Sequence, residues 1–272
     1  MKDNDCVQFL LWVLPKLDMR WAGFRKVRKQ VCKRFVRRIL ALGLVDTNDY
    51  KAYLEHHPAE WSVLENLCRI TISRFYRDKG VFLYLENEVI PALIQQLEDK
   101  GEHEIKVWSI GCASGEEPYT LAIIWTLKFQ PEFPGTKIKI TATDIDTAVL
   151  DRAAHACYNF SSLKELPELW RNNAFTKNNS IFYLNHNIRQ LVQLVSHDIR
   201  TPFKTGLFHI ILCRNLVFTY FDIDVQIEIL SHLKKHLFPS GILVIGIHET
   251  LPNGESKLIP LNKKLGIYKK IG

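Results

Sequence analysis

Apolar and polar positions change their period near residue 105, and the change divides the chain into two kinds of sequence. Before it, Phe24, Val27, Val31, Phe35 and Ile39 recur three or four positions apart, which is the repeat of one face of an α-helix. Gly43 ends that pattern, Asp46, Thr47 or Asn48 stands ready to cap a second helix through Tyr53, and residues 61–69 predict a third. Residues 1–80 therefore read as a small all-helical N-terminal domain. After the change come short runs rich in β-branched residues, at 106–110, 138–143, 191–195, 208–212 and 242–247. Helical patterns separate most of them, as in a parallel sheet covered by helices on both faces. Residues 158–187 interrupt the alternation with Leu-Pro, Asn-Asn and Asn-Asn-Ser turn signals and predict an inserted subdomain with a strand at 181–184. The expected fold is α/β, a doubly wound Rossmann-like sheet at 81–272 behind the helical domain.

Composition narrows the class. With 272 residues, 47% of them hydrophobic, the chain can bury a large core, so it is not a disordered tail. Lys and Arg outnumber Asp and Glu by 36 to 29, and a net charge of +7 favours an acidic partner without naming it. The excess is uneven: nine Lys and Arg and no acid lie between Arg20 and Arg38, which makes the first helix basic and amphipathic. Such a helix either steers an acidic protein or is a solvated face. No RNA-binding motif or aromatic pattern accompanies it, which argues against nucleic acid. The six cysteines are dispersed, with no C-x-x-C pair and no histidine at ligand spacing, so reduced thiols and no metal are expected. The apolar run 7–14 is too short to cross a bilayer, and Asp3 and Asp5 spoil a signal peptide. A cytoplasmic enzyme with no membrane insertion, acting as a monomer, is the resulting expectation.

Two features carry chemistry. Residues 107–122 join an apolar strand to a helix through Gly111 and Gly115, with Pro118 in the first turn, where a missing N–H costs little. Such a turn at a strand's carboxyl end is where doubly wound sheets bind nucleotides. A pyrophosphate site calls for G-x-G-x-x-G or a Lys-Ser/Thr after the glycines. This loop offers Glu116 and Glu117 instead, which repel phosphate and suit an ammonium such as that of S-adenosylmethionine. The second strand ends in Thr141-Ala-Thr-Asp144-Ile-Asp146, and an acid at that position can hold both ribose hydroxyls. The alternative is a simple turn, with Asp144 capping the following helix.

At this point the residues resemble the CheR-type protein-glutamate O-methyltransferases of bacterial chemotaxis. The likeness rests on Gly111-Cys-Ala-Ser-Gly-Glu-Glu-Pro-Tyr119, on Ala142-Thr-Asp-Ile-Asp146 with Val149-Leu-Asp-Arg-Ala153, on Cys213-Arg-Asn215 with Tyr220-Phe-Asp222, and on Ile72-Ser-Arg-Phe-Tyr-Arg-Asp78. It implies a class I methyltransferase sheet, S-adenosylmethionine as cofactor with S-adenosylhomocysteine as product, and a methyl ester formed on a glutamate of an acidic protein such as a helical chemoreceptor region. It further implies that Thr71, Ser73 and Arg77 line the cleft, Glu117 meets the methionine ammonium, Asp144 the ribose, Asp198 and Ile199 the adenine region, and Arg214 with Asn215 the floor. Arg77 and Tyr220 would be the catalytic pair that positions the acceptor. Two alternatives stand beside these roles: Arg77 pairing with Asp78 or Glu86 on the surface, and Tyr220 packing at a strand end. The residues depart from the resemblance in three places: one extra residue separates Asn215 from Tyr220, Thr71 replaces a common Asn, and Thr176-Lys-Asn-Asn-Ser180 lacks the glycines of a receptor-docking hairpin. A small-molecule carboxylate, a nucleic acid, or binding of the cofactor without transfer are the competing readings.

Overall fold

The run of cations expected as one basic helix is two helices, Trp21–Phe24 and Arg28–Ala41. Gly23 and the like-charged i,i+4 pair Arg25 and Lys29 both weaken a continuous helix at the join. A computed structural model of the chain describes residues 3–204 and 206–272. It separates into two units, Met1–Ile70 with Thr219–Gln226, and Thr71–Phe218 with Ile227–Gly272.

In the first unit, Phe9 of the helix Asp3–Val13 meets Phe35 edge-on at 5.2 Å and stacks on Tyr50 at 5.7 Å. Val31, Phe35 and Ile39 are buried on the inner face of the helix Arg28–Ala41, as the periodicity predicts. The cations of the basic run divide into two groups. Arg38 holds Glu60 at 2.8 and 2.5 Å, and the Tyr50 hydroxyl donates to the same carboxylate at 2.7 Å. The Arg38 bonds hold the Glu60 carboxyl below its usual range despite its burial. Arg34 donates to the carbonyls of Leu67 and Arg69, and Arg28 pairs with Asp3. Arg25, Lys26, Lys29, Lys33 and Arg37 are left exposed. The second helix, Thr47–His56, is capped by Asp46, whose side chain accepts from Asn48 and Asp49 N–H; the third is Pro58–Cys68. The segment Thr219–Gln226 belongs to this unit through the Met19–Phe221 bridge and the Arg20 N–H, which donates to the Tyr220 carbonyl at 2.8 Å. Gly23 is required there: a Cβ would lie 2.3 Å from the Thr219 oxygen.

The cysteines depart from expectation, because Cys6 and Cys32 form a disulfide that ties the first helix to the basic one. Cys68, Cys112 and Cys213 are free and buried, and Cys157 is free and exposed. Burial pushes the Cys68 thiol up to about 12, and raises Cys112 and Cys213 as well. Titration of the native chain with a thiol reagent should therefore label Cys157 first. Unfolding without reductant should expose four thiols, and unfolding with reductant six. Six without reductant would mean that the disulfide is absent.

Ten strands are found among the described residues: β1 (Glu104–Ile110), β2 (Lys137–Asp144), β3 (Cys157–Asn159), β4 (Phe175–Asn178), β5 (Ile181–Leu184), β6 (Val192–Ser196), β7 (Phe208–Cys213), β8 (Leu237–Ile245), β9 (Leu258–Asn262) and β10 (Ile267–Lys270). Seven form the sheet of the second unit in the order β6-β2-β1-β7-β8-β10-β9. The five strands expected from the sequence are its parallel part, and the unexpected β9 and β10 add an antiparallel edge. The insertion is a separate antiparallel sheet, β3-β5-β4, with β5 at the predicted 181–184. Its β4–β5 turn works without glycine because Asn179 takes the left-handed conformation, with φ of 54°. No described helix is long and apolar enough to cross a membrane.

Candidate functional site

The register of the parallel strands decides which residues meet at the sheet edge. Ile110 of β1 is level with Thr143 of β2 and Cys213 of β7; Thr143 is level with Val195 of β6, and Cys213 with Ile245 of β8. The chain runs from β1 outward through β2 to β6, then returns to place β7 on the other side of β1. That reversal is the topological switch point at which open α/β sheets bind ligands. The residues that follow these strand ends are Gly111, Asp144, Asp198 with Ile199, and Arg214 with Asn215. Spacing alone points to Gly111 and Asp144 among these, and the resemblance implies the other four.

The glycine loop is built around its backbone. Gly111 and Gly115 have φ of 67° and 89°, in the left-handed region. A Cβ on Gly111 would lie 2.7 Å from the Leu216 side chain, and one on Gly115 2.6 Å from the Tyr119 ring. Asp144 fastens the loop to β2: one carboxylate oxygen accepts the Ala113 N–H at 2.9 Å, the other the Asp146 N–H at 3.0 Å. The helix-capping role weighed for Asp144 belongs instead to Asp146, which accepts from Ala148 and Val149. Tyr158 of the insertion donates its hydroxyl to the Ser114 carbonyl at 2.6 Å, bracing the loop from outside.

The two acids of the loop differ. Glu117 accepts from the Ser109 hydroxyl at 2.8 Å and from Arg214 at 3.1 Å. Arg214 also reaches Asp78 at 2.7 Å and the Arg77 carbonyl at 3.1 Å, and its side chain is only 2% exposed. One buried guanidinium at the end of β7 thus joins the helix Glu116–Ile124 to the segment 71–78, and two carboxylates share it. Glu116 turns inward: it is buried, one of its oxygens has no partner, and burial raises its pKa. A carboxyl raised in the folded state stabilises the fold below its unfolded pKa and loses that contribution as pH rises through the folded one. The isosteric Glu116→Gln should therefore raise the melting midpoint at pH 8 and leave it unchanged at pH 4. An equal shift at both pH values would rule out a buried acid here.

The segment 71–78 crosses this edge. Phe75 and Tyr76 are buried anchors; the Tyr76 N–H donates to Thr120 Oγ1 at 3.0 Å. Thr71, Ser73 and Arg77 are half-buried. Ser73, Arg77 and Asp78, with Ile72, Arg74 and Glu165, line a cavity of about 270 Å³. Arg77 donates to the Ile72 carbonyl at 3.0 Å. Neither expected surface partner holds it: Asp78 is bound by Arg214, and Glu86 by Lys128 and Tyr76. Asp198 is half-buried, and its carboxyl is pulled below the usual range by Arg200 against the opposing effect of burial; Ile199 beside it is buried. Asn215 adopts φ of 56°, and its N–H donates to Glu249 at 2.9 Å. Tyr220 lies in the first unit with its ring 5.1 Å from that of Phe24.

Glu249 fixes the turn after β7, accepting from Asn215 N–H and from Gly246 N–H at 2.5 Å. Two contributors escaped the sequence reading: Ser109 and Asp78, which complete the Glu117–Arg214 cluster. The Arg-Asp pair at 77 and 78 was a visible signal for one of them. For Ser109, inside an apolar strand, there was none.

Comparison with known proteins completes the description. The family model described as CheR methyltransferase, SAM binding domain, matches residues 71–266. A chemotaxis protein methyltransferase of Salmonella typhimurium is 32% identical over 83% of this chain and 77% of its own length. One from Listeria innocua is 32% identical over 69% of this chain and 68% of its own, and one from Listeria monocytogenes 28% over 92% of each.

Proposed function

This chain belongs to the CheR methyltransferase family, and from that premise we propose that it forms methyl esters on glutamate side chains of an acidic protein, in the first instance a chemoreceptor-type helix. The observation that carries the proposal is a cavity lined by two arginines, Arg74 and Arg77, and by Asp78, which Arg214 ties to Glu117 of the glycine loop.

S-adenosylmethionine is the cofactor of this family's domain, and when bound it supplies a methyl group on a sulfonium. The donor set fits it. Asp144 stands at the end of β2, where a vicinal diol can be held, and its carboxylate is already oriented by two N–H groups. Around Arg214, two carboxylates face one cation, a surplus negative charge that suits an ammonium rather than a phosphate. In this reading Glu117 takes the ammonium, Asp144 the ribose, and Asp198 with Ile199 flanks the base. Thr71, Ser73, Gly111, Gly115, Arg214 and Asn215 shape the rest.

The acceptor needs no general base, because a glutamate carboxylate is ionised at neutral pH. The chain must bring one oxygen of that carboxylate into line with the methyl group and keep water away. Arg77 is the residue we assign to hold it, through a charge-assisted bond, and Tyr220 the one to set its orientation. Binding the negative ground state does not by itself accelerate transfer. Alignment in a shielded cavity does. The exposed cations Arg25, Lys26, Lys29, Lys33 and Arg37 would steer the acidic protein to the helical domain.

Incubation with methyl-labelled cofactor and a soluble chemoreceptor fragment should give label that alkali releases as methanol. Alkali-stable label, nuclease-sensitive label, label confined to the low-mass fraction, or cofactor binding without turnover would each overturn the assignment.

A further inference from the structure

The cavity beside Arg77 already contains a carboxylate. Arg74 Nη1 donates to Glu165 Oε1 at 3.2 Å, and both residues line the cavity. The backbones that carry the pair are fixed. Phe75 donates its N–H to the Ser162 carbonyl at 3.0 Å and packs edge-on against Tyr158 at 4.7 Å. Leu163 and Leu166, on either side of Glu165, are buried. The pair itself is open to solvent, with side chains 55% and 39% exposed. Exposed ion pairs are weak and exchange partners readily.

The charges in the cavity show what the exchange would be. Arg74 and Arg77 are positive, Asp78 and Glu165 negative, and Asp78 is committed to Arg214 at 2.7 Å. Glu165 is thus the carboxylate that can leave, and its chemical group is the one that the acceptor presents. We propose that Glu165 is a built-in competitor for the acceptor carboxylate and that Arg74, released by it, is the second cation that the acceptor meets on its way to Arg77. The inference rests on the acceptor reading given above. An incoming glutamate replaces one ion pair with another. A neutral side chain such as glutamine leaves Arg74 without a counter-ion, so the pair also discriminates carboxylate from amide. Arg74 and Glu165 act on recognition and not on the transferred methyl group; they are specificity-determining residues.

The test is steady-state kinetics with a soluble chemoreceptor fragment as acceptor and glutarate as a competing dicarboxylate. Glu165→Gln should lower KM for the fragment about threefold, with kcat within twofold and cofactor affinity by calorimetry unaltered. Glutarate should inhibit that variant about threefold more strongly. Glu165→Asp, which keeps the charge, should restore KM to near the wild-type value. Arg74→Ala should raise KM about threefold, and in the double variant Glu165→Gln should have no further effect. An unchanged KM in Glu165→Gln, or a fall in kcat together with the melting midpoint, overturns the competitor role while wild-type ester formation still stands. If the wild-type chain binds cofactor but forms no alkali-labile ester on the fragment, the acceptor reading fails and this inference fails with it.

Discussion

Replacing Asp144 with alanine is expected to weaken S-adenosylmethionine binding on the order of 100-fold, about 2.7 kcal/mol. The size follows from two losses. The carboxylate proposed to hold the ribose disappears, and the buried Ala113 N–H at the centre of the glycine loop loses its acceptor at 2.9 Å. An unsatisfied buried donor costs about 1–3 kcal/mol, so the melting midpoint should fall as well. Asp144→Asn separates the two effects. Its amide oxygen can still accept the Ala113 N–H while the Asp146 N–H loses its acceptor, so the midpoint should recover in part. The affinity should not, because a neutral amide with one acceptor cannot hold two hydroxyls as a carboxylate does. Calorimetry on both variants checks this, and wild-type affinity in a folded Asp144→Ala would move the ribose elsewhere.

Arg214→Ala is expected to have the largest effect on stability. The guanidinium is 2% exposed and holds Asp78, Glu117 and the Arg77 carbonyl together. Without it, two carboxylates with 22% and 15% exposed side chains face each other's field with no counter-ion. Breaking a buried pair in this way costs about 3–5 kcal/mol. At roughly 2 °C per kcal/mol for a chain of this size, the midpoint should drop by about 6–10 °C. Arg214→Lys should fall between, since it keeps the charge but loses the planar fork that reaches three partners. Adding Glu117→Gln to Arg214→Ala should return part of the loss, because it removes one of the stranded charges. A drop below about 2 °C in Arg214→Ala would mean that water, and not the guanidinium, balances these acids.

Much of this was readable from local pattern. The parallel strands announced themselves because β-branched residues cluster in short apolar runs, and Gly111 and Asp144 followed from their places after the first two; Asp198 and Arg214 came only from the family resemblance. The Asp46 cap and the inner face Val31, Phe35 and Ile39 followed from spacing alone. What escaped depends on partners far apart in sequence. Asp78 and Arg214 are separated by 136 residues, and no periodicity links them. Cys6 and Cys32 carry no spacing signature, and only the packing of two helices brings them together. The antiparallel edge was hidden by chemistry: β9 contains Pro260, which removes a ladder donor, and β10 ends in two lysines. Strand β8 starts earlier than expected because Pro239-Ser-Gly reads as a turn, while Ser240 instead takes a left-handed conformation inside the strand. The identical local signals of Glu116 and Glu117 concealed opposite environments, since only the helix's rotation decides which of them is buried.

The helical unit is closed by a piece of chain that arrives late. Arg20 and Thr219 bond across 199 positions, and Gly23 keeps its bare backbone only for the sake of that neighbour. On the ribosome, the first seventy residues leave the exit tunnel long before residues 219–226 exist. Their last contacts have the high sequence separation that slows folding. A chain that stops short of residue 226 therefore carries an unfinished helical unit, so an interrupted translation product presents neither half of the protein in its final form.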